Sequence, residues 1–205
     1  MNHPTPPTQP SAKGMPSAWR EDIRRAITVM NGGGIILYPT DTIWGLGCDA
    51  CNAEAVARIY RIKQRQDAKA LISLVDSAAK IPFYVREVPD VAWDLIELSE
   101  KPLTIVYDGA RNLAEILMAD DGSAALRVTR EPFSRELCMR MRRAVVSTSA
   151  NVSGQPSPAC FADITPEILS AVDYVCTSRR EETSNPPASS VIKLGAGGLI
   201  KIIRE

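Results

Sequence analysis

Short apolar runs alternate with segments of helical period along the first two thirds of this chain, and that alternation leaves few architectures open. Trp19, Ile23, Ile27 and Met30 recur at helical spacing, and Gly32-Gly33-Gly34 stops the helix they define. Ile35–Tyr38 reads as a strand, ended by Pro39 and the polar turn Thr40-Asp41-Thr42. Ala53–Lys63 is a second predicted helix, with Val56, Ile59 and Tyr60 inward. Further strands are expected at Leu71–Val75, Leu103–Tyr107, Ala124–Thr129 and Ala144–Thr148. Val91–Leu98, Phe133–Arg142 and Pro166–Ala171 read as helices, and Tyr174–Thr177, Ser190–Leu194 and Leu199–Ile203 as closing strands. The pattern predicts one α/β domain over residues 18–205, built on a mixed sheet with flanking helices. Residues 1–17 are rich in proline and small polar residues and read as a flexible extension.

Composition removes several classes of chemistry. The 205 residues include one histidine, His3, which falls in the extension. Ser-His-Asp and Cys-His catalysis, and most zinc sites, would need a histidine in the folded part. Lys plus Arg and Asp plus Glu both number 24, so the chain as a whole carries no long-range attraction to nucleic acid or anionic lipid. No apolar run is long enough to span a bilayer, and the N-terminus has no apolar signal core. Five cysteines in a chain that is 45% hydrophobic suit reduced cytosolic thiols better than a disulfide framework. Chemistry therefore falls to Lys, Arg, Ser, Thr, Asn, Asp and the backbone.

Three stretches could carry it. Arg58, Arg61, Lys63, Arg65 and Lys69 crowd the end of the second helix and the loop after it. They form either a solvated helix face or a phosphate site at a sheet edge. Ser147-Thr148-Ser149-Ala150-Asn151-Val152-Ser153-Gly154 follows an apolar strand, and is either a polar turn or a ligand-binding edge. If the strand continues, alternation puts Ser149 and Asn151 on one side. Tyr38 to Gly47 places Thr, Asp and Thr after a buried strand, with Gly45-Leu46-Gly47 beyond, and matches neither a Walker A loop nor a dinucleotide fingerprint. Cys48-Asp49-Ala50-Cys51 has redox-pair spacing in the wrong surroundings, and Cys138, Cys160 and Cys176 supply no second pair for zinc.

Taken in order, Ile36–Gly47, Ala57–Leu71, Leu103–Val106, Ala125–Val128, Val146–Pro158, Ser189-Ser190-Val191 and Ile203-Arg204 resemble the YrdC-like threonylcarbamoyl-AMP synthase family. The short, single-domain branch is the nearer match. The resemblance implies a twisted α/β sheet around a concave, positively charged cavity. It implies a cytoplasmic enzyme, a nucleotidyltransferase that condenses L-threonine, bicarbonate (or CO2) and ATP into threonylcarbamoyl-AMP and pyrophosphate. A separate transferase complex then modifies tRNA. Lys63 and Arg65 match the family's K-x-R and are the catalytic assignments. ATP contacts are expected from Lys63, Arg65, Lys69, Ser123, Asn151 and Arg204. L-threonine contacts are expected from Thr42, Arg127, Ser149 and Ser189. Magnesium is expected to travel with ATP, with no metal site made by the protein. Gln66 and Ala70 stand where the family pattern has prolines, which loosens the loop they share with Arg65 and Lys69. A non-catalytic RNA-binding paralogue, gripping tRNA or double-stranded RNA through Arg58–Lys69 and through Arg135, Arg140, Arg142 and Arg143, is the competing expectation.

Overall fold

The structure is a computed structural model that describes residues 14–64, 71–183, 188–195 and 198–205; Arg65, Gln66, Lys69 and Ala70 lie outside them. Helix α1 (Ser17–Asn31) buries Ile23, Ala26 and Met30, one stripe at helical spacing, and is followed by Gly33 in the left-handed region at φ 79°. Strand β1 (Ile36–Tyr38) is buried throughout, as a continuous apolar run in a sheet interior should be. It turns at Thr40–Thr42 into β2 (Gly45–Gly47), pairing Ile36 with Gly47 and Tyr38 with Gly45.

The second strand of that hairpin is not among the strands expected from the sequence. Apolar patterning could not reveal a strand whose ends are both glycine. The reason for glycine is close approach: a Cβ on Gly47 would sit 2.5 Å from Tyr38 Cε1 and 3.0 Å from the carbonyl oxygen of Val146.

Helix α2 (Ala53–Ile62) is N-capped by Asn52, whose side chain accepts from the Ala55 N–H. Then come β3 (Ile72–Val75), the short helix α3 (Ile81–Tyr84), α4 (Val91–Leu98) and β4 (Leu103–Tyr107). Strand β5 (Ala124–Val128) leads to α5 (Pro132–Met141), which has Pro132 at its start and Glu131 accepting from the N–H groups of Phe133 and Ser134. Strand β6 (Val145–Ser149), helix α6 (Pro166–Ala171) and strands β7 (Tyr174–Val175), β8 (Ser190–Leu194) and β9 (Ile200–Arg204) complete the described chain.

Among the described residues the strands form one nine-stranded sheet in the order β7-β1-β2-β6-β3-β5-β4-β8-β9. Three neighbour pairs are parallel (β1 with β7, β3 with β5, β4 with β8) and the other five antiparallel, so the sheet is mixed as the pattern predicts. Helix α1 lies against α5, with the rings of Trp19 and Phe133 edge to face at 5.6 Å. Asp22 is buried on α1 and anchors it to the far end of the chain, accepting from the Thr177 and Ser178 N–H groups at 2.8 and 2.5 Å and from the Tyr174 hydroxyl. No helix among the described residues is long and apolar enough to cross a membrane.

Candidate active site

The sheet order gathers residues far apart in sequence around one cleft of about 270 Å3. Strand β6 sits between β2 and β3, and β5 lies one strand further on. Register then pairs Gly45 with Ser149, and places Arg127 between Leu74 on β3 and Thr104 on β4. Thr42, Arg127, Ser149, Ser189 and Arg204 all line the cleft. Five of the ten residues singled out from the sequence are thus brought together on its wall. Gly45 belongs to the same wall for a steric reason: a Cβ there would lie 3.2 Å from the carbonyl of Thr148 and 3.3 Å from Thr40 Cγ2.

The Thr40–Thr42 turn is self-supporting. Thr40 Oγ1 donates to the Ile43 carbonyl at 2.6 Å and accepts from the Thr42 N–H at 3.1 Å. That bonding fixes the Thr42 hydroxyl, 3.2 Å from the Thr40 hydroxyl, at the cleft edge.

Arg127 is 3% exposed and pairs with Asp41, 9% exposed, through Nη2 and Oδ1 at 2.8 Å. Burial pushes the Asp41 carboxyl above its ordinary range, and the guanidinium beside it works in the opposite direction. The Nη2–Oδ1 contact is not aligned as a hydrogen bond, and Arg127 Nε is also buried without a hydrogen-bond partner among the described residues. A buried guanidinium in a cleft with an unsatisfied N–H is a site for a carboxylate or phosphate oxygen.

Lys63 is the C-cap residue of α2 and is also buried, 3% exposed. Its ammonium donates to the carbonyls of Ser149 and Asn151 at 2.6 and 2.7 Å. The charge therefore lies directly behind the Ser149-Ala150-Asn151 loop. The strand ends at Ser149, so the expected strand alternation does not extend to Asn151. Instead the chain turns there, with the Asn151 N–H bonded to the Ser149 carbonyl and the Asn151 amide NH2 to the carbonyls of Val152 and Gln155.

At the other edge, Ser189 is buried and shares a hydrogen bond with Thr104 at 2.9 Å. Arg204 donates to the Ser189 carbonyl through Nε and Nη2 at 3.0 and 2.8 Å, closing that side of the cleft. Ser123 is not brought there. It is buried just before β5, four residues before Arg127, with its N–H on Asp121 and its carbonyl accepting from Ala119. Four strand residues span about 13 Å, which places it at the opposite end of β5 from Arg127.

The other cationic candidates are mostly engaged elsewhere. Arg58 pairs with Asp173 at 3.0 Å, Arg140 with Glu136 at 2.5 Å, and Arg143 with Asp49 at 3.1 Å. Burial pushes the Cys51 thiol up to about 11 and the Cys48 thiol higher still, the opposite of an activated redox pair. Sequence reasoning passed over Asp41 and the hydroxyls of Thr40, Ser147 and Ser157. The first three lie in stretches singled out for their polarity, but only β-pairing across the sheet shows which side chains face the cleft.

This arrangement defines an α/β domain with a buried arginine, paired with Asp41, in the wall of a cleft edged by hydroxyls and backed by a lysine. The chain matches the Sua5–YciO–YrdC family model, described as telomere recombination, over residues 28–205, and it belongs to that family. A threonylcarbamoyl-AMP synthase of Pseudoalteromonas translucida is 36% identical over 155 residues, covering 74% of this chain and 83% of the relative. One from Pseudomonas fluorescens is 32% identical over 188 residues, covering 91% and 99%. Among solved structures, P. abyssi Sua5 complexed with L-threonine superposes with a TM-score of 0.82 at 25% identity, covering 93% of this chain and 55% of that one. The chain thus spans about half the length of that Sua5. E. coli YciO superposes at 0.79 and 23% identity, covering 91% and 89%.

Proposed function

We propose that this chain is a threonylcarbamoyl-AMP synthase that joins L-threonine, bicarbonate (or CO2) and ATP. The observation that carries the reading is Arg127, buried in the cleft wall with an unsatisfied N–H, in a cleft that Thr42, Ser149 and Ser189 also line. A guanidinium fork suits the substrate carboxylate, and hydroxyls at fixed positions suit the hydroxyl and amine of threonine. The names of the relatives and the threonine carried by the P. abyssi Sua5 structure support the same assignment.

The reaction needs no protein nucleophile. Threonine's amine forms a carbamate, a carbamate oxygen attacks the α-phosphorus of ATP, and pyrophosphate leaves; the enzyme is in this sense a nucleotidyltransferase. The protein's task is to hold two anions together and neutralise the charge that develops between them. Lys63 and Arg65 are assigned to that charge, with Lys69, Asn151 and Arg204 on the ATP side. Magnesium is assigned to enter with the ATP phosphates. The product is consumed by a separate transferase that modifies tRNA, in the cytoplasm. The RNA-binding reading has weaker support, because Arg58, Arg140 and Arg143 are paired with acids.

Incubation with ATP, L-threonine and bicarbonate tests the assignment, with pyrophosphate release as the readout. Release that depends on threonine is the expected result. No release above a threonine-free control, together with tight RNA binding at physiological salt, overturns it.

A further inference from the structure

Arg127 does not meet the cleft as a lone cation. Asp41, between two cleft-lining threonines, is its ion-pair partner and itself opens onto a smaller adjoining cavity of about 100 Å3 bounded by Leu103, Val128 and Glu131. The pair thus forms part of the partition between the two spaces. Its geometry is unfinished: the 2.8 Å contact between Nη2 and Oδ1 is not aligned as a hydrogen bond, and Arg127 Nε has no hydrogen-bond partner among the described residues. Asp41 is nevertheless held in place independently of Arg127. Arg179 donates to the Thr40 carbonyl at 3.2 Å and pairs with Glu131 and Glu182 at 3.0 and 2.7 Å, gripping the turn from behind.

We propose that Asp41 is a positioning residue that acts through Arg127: it is the internal counter-ion of the ligand-free site, and it gives up that role to the carboxylate of the amino-acid substrate. The proposal rests on the assignment of Arg127 to that carboxylate. A buried guanidinium with no counter-ion strongly destabilises a fold, so the ligand-free protein needs an anion there. A guanidinium in misaligned contact, with its Nε–H unbonded, keeps donor capacity for a second, better-aligned carboxylate. Two carboxylates on one guanidinium repel each other, so Asp41 weakens the grip on substrate. It also weakens the grip on the product, which keeps the same carboxylate and has to leave.

Asp41→Asn keeps the shape and removes the charge. The expected result is a lower melting temperature without ligand, roughly tenfold tighter L-threonine binding by calorimetry, and ATP affinity within about twofold of wild type. In steady-state turnover, KM for threonine and kcat should fall together, because product release slows. A residue that merely braces Arg127 gives the opposite, weaker threonine binding, and that result or no change overturns the proposal.

The wild type gives a second reading that needs no variant. A carboxylate arriving beside Asp41 raises its affinity for a proton. Threonine binding should therefore take up protons and tighten as the pH falls toward the titration of Asp41. The other charged groups facing it are Arg127, Glu131 and Arg179, with Glu100, Lys101 and Arg130 around the small cavity. Calorimetry in two buffers of different ionisation enthalpy measures this uptake, and Asp41→Asn should abolish it. Threonine binding without proton uptake overturns the proposal and leaves the functional reading intact, whereas no threonine binding to wild type overturns both.

Discussion

The ammonium of Lys63 lies 2.6 Å from the carbonyl oxygen of Ser149, across 86 residues of sequence. One buried cation thus ends α2 and supports the loop that carries Ser149 and Asn151. Charge placed behind a loop acts on a ligand in front of it with little reorganisation. Lys63→Met should lower threonine-dependent pyrophosphate release by about 100-fold or more. It should also lower the melting temperature, because the two carbonyls lose their donor. Parallel rate and thermal-shift measurements check both effects. A variant that melts early but turns over normally would show that the lysine is structural alone.

Removing the guanidinium of Arg127 should separate the two substrates. A charge-assisted hydrogen bond is worth about 1.5–3 kcal/mol, or roughly tenfold to a hundredfold in affinity. Arg127→Ala should raise KM for L-threonine by that factor and change KM for ATP by less than about twofold. Equal losses for both would place the arginine between them and not on the amino acid.

Gly47 tests the steric reading of β2. An alanine methyl would overlap Tyr38, whose ring is buried and whose hydroxyl donates to the Val146 carbonyl at 3.2 Å. Neither neighbour is the free end of a flexible chain. Gly47→Ala should therefore destabilise the fold by about 1–3 kcal/mol, as overpacking does. Urea unfolding measures this, and a stability equal to wild type would mean that the hairpin readily shifts.

Asp22 governs behaviour in acid. Burial raises its carboxyl, but hydrogen bonds from Ser178, Tyr174 and Thr177 outweigh that and hold it below its usual value of 3.8. A depressed folded value means stability that is fully present above the unfolded value and is lost as the pH falls through the folded one. At neutral pH, Asp22→Asn should cost about 1–3 kcal/mol. The gap between variant and wild type should begin to shrink below about pH 4, where the unfolded chain takes up the proton, and should close only as the pH falls through the lower folded value. Melting curves from pH 7 down to pH 3 follow it, and a constant gap would contradict the assignment.

Much of this could be read in one dimension. Apolar runs such as Ile36–Tyr38 and Leu103–Tyr107, and the helical stripe of Ile23 and Met30, are local patterns set by burial on one side of a strand or helix, and they specify a mixed α/β domain. The confinement of histidine to position 3 excluded whole classes of catalysis from composition alone. Lys63 and Ser149 stood out by residue type and order, and the family resemblance gave them roles and added Arg127. Tertiary structure decided how they are used. Strand β2 was hidden because glycine has no side chain to pattern, although its close approach to Tyr38 is what requires glycine. The pairing of Arg127 with Asp41, the burial of Lys63 beneath Ser149 and Asn151, and the position of Ser123 at the far end of β5 all depend on strand order and register. Residue spacing reports which side of its own strand a side chain takes. Which charge it meets across the sheet is set by the other strands, and is written nowhere near it in the sequence.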